Sequence, residues 1–150
     1  MNEKPFVPPD FDVPAVLETD KFRLRMLSVD DVEKDYEAVM ESQALLRADG
    51  GDWPRDGFTL QENLADLQEH QQEFVERIAF AYTVVALDES RVLGCLYINP
   101  ARYTEADAEV YMWARQSEHD KGLDPVLFQT VKAWIASVWP FETVAYPGRE

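Results

Sequence analysis

The residues from Ala108 to Asp124, AEVYMWARQSEHDKGLD, read as a strand, a Lys-Gly turn and the opening of a helix. A turn of that kind presents backbone N–H groups and the positive end of a helix, which together can hold a phosphate. Asp124 and Pro125 oppose this chemistry. An aspartate at the N-cap accepts the helix amides itself, and a proline at the first helical position has no amide to give. His119, ahead of the turn, can bridge a phosphate when protonated or sit exposed between Glu118 and Asp120. The segment has the layout of an anion-binding loop and the chemistry of one closed by its own side chain.

Other reactive residue types are few. His70 and His119 are the two histidines and Cys95 the one cysteine, with no zinc-ligand spacing among them, so no metal site is expected. His70 stands mid-helix with Glu69 and Glu73 and reads as solvated. Cys95, inside the apolar run VLGCLYI, reads as a small buried hydrophobe rather than a nucleophile. Trp53 and Phe58 flank Pro54 in a stretch dense in Gly, Asp and Pro, where an aromatic is either a ligand contact or a plug for the nearby core.

The elements that must position these residues follow from periodicity. Residues 1–15 carry Pro5, Pro8, Pro9 and Pro14 and predict an extended arm, which Phe6, Val7 and Phe11 lay against the body. The rest, 16–150, reads as one domain. Lys21 to Leu27 alternates, with Phe22, Leu24 and Met26 on one face of a strand. Ser28 with Asp31 starts a helix along Val29, Val32, Tyr36, Val39 and Met40. Thr59 with Glu62 starts a second, whose stripe is Leu60, Leu64, Leu67, Phe74, Val75 and Ile78. Phe80 to Leu87 and Val92 to Asn99 form a hairpin across Asp88–Arg91, and Ala108 to Ala114 is another strand. A third helix opens at Asp124 and Pro125, with Leu127, Thr130, Val131, Trp134, Ile135 and Val138 inward, and Pro140 stops it. Phe141 to Tyr146 closes the order β-α-α-β-β-β-α-β.

With 29 acidic and 14 basic residues among 150, the net charge is −15. Such a surface repels nucleic acid and anionic lipid, which excludes both as default partners. It favours cationic small molecules or basic polypeptides, or it serves solubility alone. The first residues are polar and Pro-broken, and no apolar run approaches the ~20 residues of a membrane span, so a cytoplasmic protein is expected.

Three stretches, in this order and spacing, resemble the GNAT acyltransferase superfamily, and within it the branch that acetylates ribosomal-protein N-termini. Leu17 to Arg25 followed by Ser28 to Asp31 resembles that branch's opening LETxRLxLRPLxxxDA. Val92-Leu93-Gly94 resembles its VG hairpin. Ala108-Glu109-Val110 and Trp113 match its AEIGYW, without a gap through Lys121-Gly122-Leu123. The resemblance spans roughly residues 16 to 146 and implies an α/β fold, with a mixed, mostly antiparallel sheet flanked by helices.

The resemblance also implies an activity: acyl-CoA-dependent N-acyl transfer, of acetyl above all, to a small-molecule or peptide amine. Glu109 would be the general base, with its pKa raised by apolar neighbours, or else a solvated carboxylate at the strand's start. Acetyl-CoA would lie where the fourth strand splays from the fifth, against Tyr111, Met112 and Trp113 and the turn of His119, Lys121, Gly122, Leu123 and Asp124. Trp53 and Phe58 would border the acceptor, while Trp113 leans to the core. In that turn Gly122 alone keeps the family's residue, and Asp124 stands where Gly or Ala is usual. Its charge opposes a diphosphate, with Lys121 and Arg115 able to offset part of it. The family continues past the fifth strand with a helix and two strands. The shorter chain implies an open site, a homodimer that covers it, or the alternative of a catalytically reduced GNAT-like binding or interaction module that does not use CoA.

Overall fold

Among the described residues six strands lie side by side in chain order: β1 (Val16–Glu18), β2 (Arg23–Met26), β3 (Phe80–Val85), β4 (Val92–Pro100), β5 (Ala108–Ala114) and β6 (Val144–Ala145). Every neighbouring pair is antiparallel except β5 and β6, which run parallel. The computed structural model describes residues 5–48 and 51–149. Helices α1 (Val32–Glu41), α2 (Gln43–Leu46) and α3 (Leu60–Val75) separate β2 from β3, and α4 (Gln116–His119) and α5 (Leu123–Val138) separate β5 from β6. The expected mixed, mostly antiparallel sheet flanked by helices is what forms. Added to the expected order are β1 and the four-residue helices α2 and α4. All three are too short for a periodicity to register.

Both helix-start signals act. The Thr59 hydroxyl accepts from the Glu62 amide at 3.1 Å and opens α3. Ser28 caps a single 3-10 turn, Val29–Asp31, which leads directly into α1. At its other end α3 closes with Arg77 at φ 60° and the Ile78 amide reaching back to the Glu73 carbonyl at 2.9 Å. That reversal carries Ile78 off the stripe, and Val75 and Ile78, expected inward, are exposed. Val138, the last residue of α5, is exposed as well.

Alternation sorts the strands onto two faces. Val110 and Met112 of β5 point toward α5, where Leu127, Val131, Trp134 and Ile135 meet Phe22, Phe80, Tyr82 and Leu96 in the main core. The arm joins this core: Val7 is buried, Phe6 stacks on Phe141 at 5.1 Å, and the Tyr82 hydroxyl donates to the Pro14 carbonyl at 2.6 Å. Trp139 packs there too, in contact with Trp134 at 5.6 Å. Glu109, Tyr111 and Trp113 take the opposite face, beneath α1 and α3, where Leu27, Leu67, Ala81 and Cys95 form a smaller cluster. Gly94 of β4 pairs with Ala114 of β5. A Cβ there would stand 2.0 Å from the Trp113 carbonyl oxygen, so only glycine fits.

Candidate active site

The parallel pair at the sheet's edge sets the site. β6 pairs with β5 at Ala108 and Glu109. β5 continues to Ala114, and its edge there faces an opening of about 330 Å³ lined by Tyr111, Met112, Trp113, His119, Asp124 and Arg149. Tyr97, Tyr111 and Trp113 also line a second cavity of about 430 Å³, under α1 and α3, so the two are lobes of one cleft. A third cavity, about 370 Å³, adjoins it at His70, Asn99 and Tyr111 and contains Glu109.

At the α5 end the structure corrects the expected cap. The helix starts two residues earlier than expected, with Gly122 at φ 90° as N-cap in place of Asp124 and Leu123 as its first residue in place of Pro125, and no side chain caps it. Asp124 instead turns to Arg149, whose guanidinium gives it two bonds of 2.7 and 2.9 Å and a third, of 2.9 Å, to the Met112 carbonyl. Arg149 holds the Asp124 carboxyl below its ordinary pKa. The carboxylate is neutralised, and it does not sequester the helix amides. Arg115, expected to help offset it, is buried and engaged with Glu41, Glu37 and the Val92 carbonyl. Lys121, Gly122 and Leu123 line a separate recess of about 190 Å³, apart from His119 and Asp124.

Glu109 is buried, but not in the manner expected of a base with a raised pKa. Its oxygens accept from the amides of Arg102 at 3.1 Å and Tyr103 at 2.9 Å, and the Tyr111 hydroxyl lies 3.4 Å away. Burial works to raise its pKa, yet the amides of the β4–β5 loop outweigh it and hold the group below its ordinary value. An ionised carboxylate clasping that loop is the result.

The aromatic candidates separate. Trp53 lines the 430 Å³ lobe, with its Nε1 donating to Asp66 at 3.4 Å. Phe58 does not line the cleft; it is buried beneath Trp53 and Tyr36, and serves as the plug. Trp113, expected in the core, faces the cleft and donates from Nε1 to the Tyr97 hydroxyl at 3.3 Å. His70, expected to be solvated, is half-buried in the cleft wall, with its ring 5.3 Å from Tyr97. Cys95 is buried, and burial pushes its thiol well up, as befits a core residue. Among the described residues no cluster of His, Cys, Asp or Glu could hold a metal ion.

Periodicity alone passed over Asp35, Asn63 and Asp66, which line the same lobe. Asp35 is 4% exposed, and Asn63 Nδ2 donates to its Oδ2 at 2.9 Å. Burial above all pushes its pKa up to about 6; Asn63 lowers it, and the charges of Asp31 and Asp66 raise it. The signal was present in the spacing. Asp35 stands three residues after Val32 and four before Val39, and Asn63 three after Leu60 and four before Leu67. Each is a polar residue in an apolar stripe.

No protein-family model matches the sequence, and neither does any curated protein. Solved structures do. The ribosomal-protein-S5-alanine acetyltransferase from Vibrio fischeri has a TM-score of 0.63 at 17% identity, over 83% of this chain and 67% of its own. RimL, the ribosomal L7/L12 α-N-protein acetyltransferase, has a TM-score of 0.63 at 18% identity, over 81% and 65%. The microcin C7 self-immunity acetyltransferase MccE, solved with acetyl-CoA and AMP, has a TM-score of 0.62 at 13% identity, over 83% and 69%. The chain spans about 60 to 65% of the length of several such structures. The fold of this chain is that of the GNAT acetyltransferases.

Proposed function

We propose that the protein is an acyl-CoA-dependent N-acyltransferase, acting on a small-molecule or peptide amine. The observation that carries this reading is the departure of β6 from β5 after Glu109, which opens the strand edge from Tyr111 to Ala114 beside the start of a helix that no side chain caps. The named activities of RimL and MccE support it. Among the described residues no helix is long and apolar enough to cross a membrane. A cytoplasmic setting suits a chain whose one cysteine is buried and unpaired.

The residues present fit an anionic, thioester-bearing ligand. Arg149 and His119 line the opening where a diphosphate would lie, and Asp124, the one carboxylate among the described residues there, is already paired. The Met112 amide and the main-chain groups of Ala114 would take a linker along the strand edge, the Met112 carbonyl being held by Arg149. Acetyl-CoA bound there brings an acyl group already activated as a thioester. What the chain must do is hold the amine against that edge, exclude water and remove a proton from nitrogen. Glu109, ionised and beside Tyr111, accepts that proton through the solvent of its cavity. A carboxylate held below its ordinary pKa is a weak base, so its share sits at the low end of the usual range, about 100-fold.

Thermal unfolding with and without acetyl-CoA tests the reading. A ligand at one hundred times its Kd stabilises by about 2.7 kcal/mol, several degrees for a chain of this size. Transfer is then followed by thiol release in the presence of an amine. Glu109→Gln keeps an acceptor oxygen for one of the two loop amides and loses the one for the other; it should retain acetyl-CoA binding and lose about 100-fold in kcat. The absence of any shift with acetyl-CoA would remove the acyltransferase reading, and an unchanged kcat would remove Glu109 from its role.

A further inference from the structure

Acyl transfer to an amine has more protons to dispose of than Glu109 accounts for. A primary alkylamine is an ammonium at neutral pH. It must lose one proton before its lone pair can attack, and a second once the C–N bond has formed. Glu109, an ionised carboxylate below its ordinary pKa, is too weak a base to strip an ammonium. It suits the second proton, because nitrogen bonded to an acyl carbon is far more acidic. A stronger base lies in the same wall. His70 lines both the 430 Å³ lobe and the 370 Å³ cavity that contains Glu109, where the two meet beside Asn99 and Tyr111. Its Nδ1 stands 3.5 Å from Glu73 Oε1, and its side chain is about one-third exposed. A carboxylate at Nδ1 keeps the hydrogen there and leaves the lone pair on Nε2. The Tyr97 ring, 5.3 Å away, backs one side of the imidazole.

The charges around His70 favour an imidazolium once it forms. Asp66, four residues before, and Glu73, three after, flank it on one face of α3, with Glu69 adjoining. Asp35 of α1 and Glu109 of β5 line the same two cavities, and Arg102 of the β4–β5 loop is the opposing cation. Tyr97, Tyr103 and Tyr111 complete the titratable groups there. We propose that His70 is a catalytic base of the transfer. Its Nε2 takes the first proton from the ammonium, and Glu73 holds the ring in the tautomer that can accept it. The lone pair so freed attacks the thioester carbonyl; the C–N bond forms, and the C–S bond breaks with its electron pair on sulfur. The second proton passes through Glu109 to that sulfur, and the imidazolium returns the first to solvent. Ammonium and thioester thus give amide, thiol and one released proton. The role rests on the acyltransferase reading.

Amine basicity tests it, since benzylamine is an ammonium at neutral pH and aniline is not. With acetyl-CoA as donor, His70→Gln should lose about 100-fold in kcat toward benzylamine and stay within about twofold toward aniline, which has no first proton to lose. The native rate toward benzylamine should fall as pH drops through the imidazole range, and His70→Gln should lose that limb. Asp35→Asn, which removes the other group titrating there, should keep it. Binding without any acyl donor gives a readout independent of turnover, because an imidazolium repels an ammonium. Benzylamine affinity for the native chain should weaken about tenfold from about pH 7.5 to about 5.5, and that of His70→Gln should not. Equal losses toward both amines would make His70 a structural part of the wall and overturn the proposal. So would an unchanged kcat toward benzylamine, or an acid limb that survives in His70→Gln. Transfer to neither amine overturns it too, and the thermal shift with acetyl-CoA then shows whether the acyltransferase reading falls with it.

Discussion

The two faces of the sheet are built from the same strands and have opposite contents. Toward α5 the face is apolar and aromatic: Tyr82 meets Trp134 edge-on at 5.4 Å, Phe74 meets Phe80 at 5.1 Å, and Trp139 reaches both Trp134 and Phe80. Toward α1 and α3 the apolar contacts shrink to a small cluster around Leu67 and Cys95, and beside it lie Asp35, Asn63 and His70 around open volume. One face concentrates the apolar burial that holds the chain folded, and the other holds polar groups that work against it. A buried carboxylate with an unpartnered oxygen persists on the second face because the first supplies the surplus.

The sharpest way to break this division is to damage the α5 face. Trp134 is buried among Tyr82 and Trp139, and Trp134→Ala should cost about 3–5 kcal/mol by leaving a cavity. For a chain of this length that lowers Tm by roughly 10 °C or more. At temperatures where the variant stays folded, amine and acetyl-CoA affinities should match the native chain within about twofold, because distant sites act independently. A large loss of affinity there would show that the two faces are mechanically coupled.

On the other face the sign reverses. Asp35, with a pKa raised from 3.8 to about 6, stores about 3 kcal/mol at 1.36 kcal/mol per pH unit. The sign follows from linkage. A carboxyl whose pKa is raised by folding favours the folded state below its unfolded pKa, near 4, and that contribution is lost as pH rises through about 6. Glu41 acts oppositely: Arg115 foremost holds it down at about 2, so its contribution is present above its ordinary pKa and lost as pH falls toward 2. Asp35→Asn should therefore unfold at the native temperature near pH 4 and progressively above it from pH 4 to 7, with a gain of up to about 3 kcal/mol. Tm measured against pH for both proteins checks this.

How much of this was legible in the sequence divides along the same line. The α5 face was readable because Leu127, Val131, Trp134 and Ile135 repeat at helical spacing and the strands alternate against them. The candidate site was readable in outline, since Tyr111, Trp113 and Trp53 do share a cleft. Its chemistry was not. Asp35 and Asn63 sit at positions where the helical pattern asks for apolar residues, and a reading that collects apolar positions passes over the polar ones between them. Nor could local spacing show that Asp124 would leave the helix end for Arg149, since that pair joins residues 25 apart along the chain. The low pKa of Glu109 depends on amides six and seven residues away, turned inward by a loop whose conformation no pattern specifies.

The smallest expected effect on stability concerns the junction of the two faces, at the edge of β5, where Arg149 bridges Asp124 and the Met112 carbonyl. Both side chains are about one-fifth exposed. Removing either should cost only about 1 kcal/mol, and for Arg149→Ala the α5 helix end still favours the remaining carboxylate. Affinity for acetyl-CoA separates the two variants. Arg149→Ala removes a cation and leaves Asp124 unpaired against a diphosphate, so binding should weaken by about tenfold. Asp124→Ala frees the guanidinium and removes the opposing charge, so binding should tighten despite the same loss of stability. Equal weakening by both would mean that the pair matters only as a brace between β5 and the last residues. Opposite signs would place the diphosphate against Arg149 and would make Asp124 a counter-charge that holds it in position.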